Sequence, residues 1–273
     1  MQGKEQLTVF NYTHPNQSNW LSNASVEWNR QLRQHFSLTA SLAFTQRAPT
    51  ASERYGFYLF NAFDNYDYIG NPSLKPENTL HAEGSLQHAY KKSRIRLTAY
   101  YSRTANYILG ERDDSLSTMT RSASGVKRYT NLPYSSVWGV ELSCLANPFT
   151  HTECVASFSY MRGRDDQGFA LPLIPPAKAM ISIKQTMGAY AIQGEMEAAA
   201  SQNRVNQAAG EKATAGYMLC HIRCNRTIVL KDNTLQLFAG VENLLDQNYW
   251  QHLDWGQIPR PGRNIYAQIR FNF

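Results

Sequence analysis

Apolar and polar residues alternate one by one through most of this chain. In NIYAQIRFNF, at its end, Ile265, Ala267, Ile269, Phe271 and Phe273 fall on one side, and Tyr266, Gln268, Arg270 and Asn272 on the other. A period of two marks a strand with one apolar and one polar face. The pattern recurs upstream. WLSNASVEW sets Trp20, Ser22, Ala24, Val26 and Trp28 against Asn23, Ser25 and Glu27. FSLTASLAF sets Phe36, Leu38, Ala40, Leu42 and Phe44 against Ser37, Thr39 and Ser41. LHAEGSLQHAY places Leu80, Ala82, Gly84 and Leu86 opposite His81, Glu83, Ser85 and Gln87. RIRLTAYY places Ile95, Leu97, Ala99 and Tyr101 opposite Arg94, Arg96, Thr98 and Tyr100. Further alternating segments lie near 137–146, 152–162, 177–186, 189–201, 214–230 and 234–245; with the terminal one, the pattern predicts eleven strands.

The connections alternate as well. Short ones fall at Gln31–His35, Lys91–Ser93, Asn147–Thr150, Met187–Ala189 and Lys231–Asn233, and long ones at 48–78, 110–135, 163–176, 202–213 and 246–263. Short turns at one end and long loops at the other are the layout of an antiparallel transmembrane β-barrel of the outer-membrane kind. A soluble β-sandwich with one wet face is the alternative, but it mixes connection lengths and uses shorter strands. Trp20 and Trp28 bracket an apolar face, as Phe36 and Phe44 do on the next segment. That spacing suits an apolar band about 25 Å tall with aromatic girdles at its edges. Eleven is odd, bacterial single-chain barrels are even-numbered, and an open edge in lipid leaves backbone groups without partners. The expectation is therefore that residues 1–273 are the C-terminal portion of a larger barrel.

Composition narrows the class. Charged residues make up 18% of 273 residues and aromatics 12%, including 16 Tyr. Mean hydropathy is −0.48, and no apolar run approaches the roughly 18 residues of a membrane helix. No apolar signal segment follows Lys4, so any signal is expected to have been removed or to lie elsewhere. The net charge is +6, but Lys and Arg are scattered along alternating segments, which gives nucleic acid no basic tract to bind. Four cysteines are too few for a disulfide scaffold and form no CxxC. Cys144 and Cys154 flank one short turn, so a cross-strand disulfide between them is left open. Cys220 and Cys224 share a face four residues apart, about 13 Å along a strand, too far to bridge.

Three stretches resemble one family, the TonB-dependent outer-membrane receptors. They are QRAPTASERYG, a strand end running into a long loop; GNPSLKPENTLHAEGSL, residues 70–86; and GVENLLDQNYWQHLDWGQIPRPGRNIYAQIRFNF. The last resembles the family's NLxD-x-x-Y strand end, a Pro-Gly-Arg loop, and a final strand ending in Phe. The resemblance spans about 36–273. It implies a 22-stranded barrel closed by an N-terminal plug, of which this chain carries strands 12 to 22 and no plug. It implies a location in the Gram-negative cell outer membrane and uptake of a ferric chelate, another metal complex, haem, cobalamin or a glycan. The implied partners are outer-membrane lipid, the TonB complex acting through a short segment before the plug, and the barrel-assembly machinery, which reads the terminal Phe273. A binding-only surface β-protein or adhesin, and a barrel fragment without function of its own, are the alternatives. Haem receptors of the family carry a His between the first two motifs. Residues 50–70 hold none, which speaks against haem and leaves His14, His252 or a residue of the other half as substitutes.

The loop ERYGFYLFNAFDNYDYIG is the richest in candidate ligand contacts. Tyr55, Phe57, Tyr58, Tyr66 and Tyr68 suit stacking on a chelate, with Asp67, and Asp64 beside it, as hydrogen-bonding or cation-binding groups. The competing reading is that these aromatics pack the loop, with both carboxylates in solvent. RGRDDQG sets Arg162 and Arg164 beside Asp165 and Asp166, as an anion site or ordinary surface charge. On the polar faces His81, Glu83, Arg96, His221, Arg223, Glu242 and Arg270 are candidate lumen residues, with His221 and Arg223 expected to meet Glu242 or Arg270 on adjacent strands, or the plug. No nucleophile elbow, HExxH or phosphate loop occurs. No enzyme activity, cofactor or metal centre is expected.

Overall fold

Each alternating segment folds back on its predecessor, because only a neighbouring strand can take up the backbone N–H and C=O groups of an extended chain. The computed structural model describes residues 18–273; His14 lies outside them. Eleven long strands form one meandering antiparallel sheet. They are β1 (Ala24–Arg33), β2 (Phe36–Arg47), β5 (Glu77–Tyr90), β6 (Ser93–Arg112), β7 (Val126–Ala146), β8 (Thr152–Asp165), β9 (Lys178–Met187), β10 (Tyr190–Ala199), β11 (Tyr217–Leu230), β12 (Asn233–Glu242) and β13 (Asn264–Asn272). Their order in space is their order in sequence, and among the described residues β1 and β13 are the edges.

The register carries one apolar face across the whole sheet. Leu86 pairs with Leu38 and Leu97, Leu97 with Leu142, and Leu142 with Phe158. On the later strands Ile181 faces Met196, Met196 faces Cys220, and Leu237 faces Ile269. Most of these side chains are exposed, Leu86, Leu97, Leu142, Phe158, Ile181, Met196 and Ile269 among them, while Leu38, Cys220 and Leu237 are partly covered. The other face is polar. Asn29 meets Thr39, Thr39 meets Ser85, Ser85 meets Thr98 and Thr98 meets Glu141. Small residues keep both faces even, and no helix among the described residues is long and apolar enough to cross a membrane, which leaves crossing by strands open.

The loop end departs from expectation in three places. Trp20 precedes β1 and is 97% exposed, so Trp20 and Trp28 do not bracket a strand; β1 starts at Ala24 and runs on to Arg33. β7 begins at Val126, where a loop to 135 was expected, because β6 and β7 continue as a tall ribbon. Its ladder lapses only at Asn106, opposite Pro133, which has no N–H to give. Alternation fades in this stretch because both faces of the ribbon are half-buried by loops. The 48–76 connection is structured too. It contains α1 (Ala51–Tyr55) and a hairpin of β3 (Leu59–Asn61) and β4 (Tyr66–Ile69), and β4 adds in parallel to β7 at Asp67–Val126.

The cysteines are free. Cys144 pairs with Ala156 and Cys154 with Ala146, so the two sit diagonally rather than opposite. Cys220 and Cys224 share the apolar face, opposite Met196 and Ile192.

Candidate functional site

The most deeply buried cluster of the molecule lies among the loops and not in the sheet. Tyr58, Ile69 and Val126 pack together with Leu116 against them. Around this small core the loops are fastened by polar contacts. The two motif segments after β2 and before β5 meet each other. Arg47 Nε donates to Glu77 at 2.7 Å, and Arg47 Nη1 to Glu53 at 2.9 Å. Glu53 closes a capping box with Thr50 at the start of α1. Burial raises the Glu53 carboxyl's pKa, but the bonds from Arg47 and Thr50 outweigh that and hold it below the ordinary value. Arg54 donates to the Leu74 carbonyl, and Asn71 N to that of Glu53. Glu77 also accepts from Ile108 N. NPSLKPE is thus a fastening between loop and sheet, and the third motif is another. Asn243 exchanges two bonds with Gln247, and Asp246 accepts from Arg263 N.

The centre of the loop cluster is an ion pair that the sequence did not announce. Lys127 Nζ lies 2.6 Å from Asp64 Oδ2 and 2.6 Å from the Ala208 carbonyl, with the two side chains 3% and 1% exposed. The Tyr68 hydroxyl donates to the same carboxylate at 2.6 Å, and the Lys127 ammonium stands 4.3 Å from the Tyr66 ring centre. Burial and the bond to Asp64 together raise the Tyr68 pKa far above its ordinary value. The Tyr68 ring lies so close over Gly110 that a Cβ there would clash with it. Three segments distant in sequence converge here: the β3–β4 hairpin, the start of β7, and the short 3-10 turn Gln207–Ala209. A second fastening joins the β10–β11 connection to two further loops. Glu211 accepts from Leu173 N and Asn206 N and stands 3.5 Å from His252, whose other ring nitrogen meets Thr214 at 2.9 Å.

Beside the Asp64–Lys127 pair opens a cavity of about 710 Å³, lined by Tyr66, Arg112, Lys127, Phe169 and Gln207 among others. The ligand candidates divide around it. Asp67 is fully buried and accepts from Met119 N and Thr120 N. Tyr58 is buried in the loop core, and Tyr68 is spent on Asp64. Tyr66 lines the cavity, Phe57 is exposed with its ring edge on Tyr58, and Tyr55 ends α1 half-buried. Neither Asp64 nor Asp67 is the solvated loop charge that composition suggested, because each satisfies backbone or lysine donors in a dry interior.

The lumen candidates lie on the polar face. Arg223 is shared between Glu195 at 3.2 Å and Glu242 at 3.5 Å, while Arg270 stacks over Phe238 and does not join them. His221 accepts from Asn243 N, His81 bonds Ser102 and stands 3.7 Å from Glu83, and Arg96 is held by Gln87. Sequence reasoning missed Lys178, which pairs with Glu197 at 2.9 Å. The spacing of Glu195 and Glu197 on one face was its available signal.

An antiparallel sheet with an unbroken apolar outer face, a polar inner face and elaborated loops at one end is the wall of a membrane-type β-barrel. The family profile described as TonB dependent receptor-like, beta-barrel, matches residues 3–244. The chain belongs to that family. No curated protein matches it in sequence. Among solved structures, the copper transporter OprC superposes with a TM-score of 0.75 at 23% identity, over 93% of this chain and 40% of its own. The ferric enterobactin receptor PfeA of Pseudomonas aeruginosa gives 0.71 at 18% identity, over 90% and 40%. The siderophore receptor PirA of Acinetobacter baumannii gives 0.69 at 18%, also over 90% and 40%. The chain therefore spans about two-fifths of these proteins.

Proposed function

We propose that this chain is the C-terminal half of an outer-membrane receptor that takes up a scarce nutrient, with a metal chelate first among the candidates, driven by the TonB complex through a plug. One observation carries the reading: a continuous lipid-type face opposite a polar face, with all structured loops gathered at one end around the cavity beside Tyr66. Family membership supports it, and so do likenesses to a copper transporter and to siderophore receptors. Strands from a plug-bearing N-terminal half supply the partners of β1 and β13. Phe57 and Tyr66 present ring faces to the chelate, and Tyr55, Tyr58, Asp67 and Tyr68 hold them in place. The inner groups, Arg223 with Glu195 and Glu242 above all, face the plug. Phe273 marks the closing strand for the assembly machinery.

The test begins with fractionation. Exported from a Gram-negative cell, the chain is expected in the outer-membrane fraction and soluble only with detergent. A stable monomer in detergent-free buffer rules the reading out. Binding of a ferric catecholate, a ferric hydroxamate, haem and a copper complex is then compared between the natural chain and Tyr66→Ala in the receptor assembled with its N-terminal half. One ligand is expected to bind at least tenfold more weakly to the variant, as loss of a stacking contact of roughly 1.5 kcal/mol requires.

A further inference from the structure

At the loop end of the outer face the apolar band gives way to arginine. Counting along the register from the middle of the sheet, one row holds Leu97, Leu142 and Phe158, and the next Ala99, Val140 and Tyr160. The row after that is Tyr101, Trp138 and Arg162, and the last is Arg103, Ser136 and Arg164. Arg204, from the β10–β11 connection, reaches the same place and donates to the Tyr160 hydroxyl at 3.0 Å. Arg103 stacks 4.1 Å over Tyr134, and Trp138 packs edge-on to Tyr160. Among the described residues no carboxylate lies within ion-pair distance of Arg103, Arg162, Arg164 or Arg204. The neighbouring Asp165 points to the inner face, opposite Ser135, and bonds its own loop's N–H groups. The patch is thus four unneutralised guanidinium groups on an aromatic bed.

The surroundings are shaped as well as charged. Pairing of β8 with β9 stops at Ser159–Lys178, and above it a cleft of about 550 Å³ is lined by Tyr160, Arg162, Arg164, Phe169, Pro176 and Arg204. At the turn end the outer face carries Arg30 and Arg226 on well-separated strands, β1 and β11, with no comparable cluster among the described residues. Charge on a lipid-facing surface is costly unless it reaches the interface and finds a counter-charge there. Guanidinium forks match phosphate oxygens two by two.

We infer that Arg103, Arg162, Arg164 and Arg204 form a binding site for the phosphorylated sugar headgroup of an outer-leaflet glycolipid. The phosphates sit among the four guanidinium groups, the sugar lies in the cleft over Tyr160 and Phe169, and the acyl chains run down the Val140–Leu142 face. This inference rests on the reading of the sheet as a membrane-spanning wall.

The test takes the receptor assembled from this chain and its N-terminal half, in dodecyl maltoside micelles and in phospholipid vesicles. Bisphosphorylated lipid A is titrated in, alongside lipid A stripped of phosphate, phosphatidylglycerol and inorganic phosphate. Lipid A is expected to bind saturably and in preference to the other three. The variant R103Q/R162Q/R164Q/R204Q is expected to lose at least about tenfold in affinity, the scale of one or two charge-assisted hydrogen bonds. The corresponding four-lysine variant keeps the charge but not the fork and is expected to bind more tightly than the four-glutamine variant and more weakly than the natural chain, and Arg226→Gln at the turn end leaves binding unchanged. Wild-type affinity in the four-glutamine variant overturns the site. Equal binding of phosphate-free lipid A, of phosphatidylglycerol or of inorganic phosphate overturns the ligand assignment. Flotation with the vesicles separates the two readings. If neither chain floats, the membrane-spanning reading falls and this one with it. If both float while lipid A binding ignores the arginines, only the site is lost.

Discussion

Asp64 and Lys127 are the residues on which the loop cluster turns. Removing one partner of a buried pair leaves the other charged in a dry site, which costs about 3–5 kcal/mol. Lys127→Met is accordingly expected to release the β3–β4 hairpin and the 207–209 turn, read as lost hydrogen-exchange protection there, with the membrane portions of β6 and β7 unaffected. Adding Asp64→Asn to that variant should recover part of the loss; no recovery would mean the lysine acts only by its bulk. A second residue-scale prediction concerns pH. In the loops Glu53, Asp113 and Asp254 all have lowered carboxyl pKa values. Hydrogen bonding from Arg260 is the main cause at Asp254. At Asp113 burial opposes the shift but the bonds from Ser115 and Arg128 win, as those from Arg47 and Thr50 do at Glu53. A folded value below the unfolded one contributes stability that is present above the unfolded value, near 4, and is lost as pH falls through the folded value. Protease cleavage of the loops should therefore be flat from pH 8 to about pH 5 and rise below about pH 4, while the sheet stays resistant.

Among the elements, α1 and the strands beside it show why the motif residues stand where they do. Arg47 ends β2, Glu53 belongs to α1 and Glu77 starts β5, and one guanidinium joins all three. The loop's direction out of the sheet is set by that junction. Arg47 is partly exposed, so Arg47→Ala is expected to cost only about 1–2 kcal/mol. Its effect should be local: faster proteolysis within 48–76, unchanged strand content by circular dichroism, and weaker ligand binding through misplacement of Phe57 and Tyr66. Unchanged cleavage kinetics would assign the fastening to Arg54 and Asn71 instead. The tall β6–β7 ribbon is the element that alternation underestimated. Its upper part is held by β4 in parallel pairing and by Arg128 on Asp113 at 3.0 Å. Neither contact leaves a trace at single-residue spacing.

For the molecule as a whole, the two faces of the sheet make opposite predictions at one depth. Leu142 faces outward between Leu97 and Phe158, while Ser157 lies on the inner face beside Ser143. Leu142→Arg is expected to destabilise the membrane-folded chain by about 2–4 kcal/mol, as charge on the lipid face of a barrel does near mid-depth. Ser157→Arg should cost far less, because the inner face is wet. Urea titration of the vesicle-embedded receptor measures both, and equal costs would contradict the assignment of faces. The arginine patch belongs to this scale too, since it exists only because β6, β8 and the β10–β11 connection bring four arginines together around β7.

The number of long strands, their direction, the division into short turns and long loops, and the apolar or polar character of each face were legible in the residues alone, while β3 and β4 were not. A two-residue period maps directly onto the two sides of a sheet, one apolar and one polar. The expected contact of Arg223 with Glu242 followed from that same count. What it could not reach was anything set by register between distant segments. Cys144 and Cys154 missed facing each other by two residues. Asp64 and Asp67 read as solvated charge because their partners, Lys127 and the Met119–Thr120 amides, lie more than fifty positions away. Tyr58 became core, as the packing reading of the loop aromatics had it, because the loops fold onto one another rather than into solvent. Local periodicity records which side of a strand a residue takes; which loop residue meets which is decided only when the sheet has brought its loop ends together, and there burial, not spacing, chooses the partners.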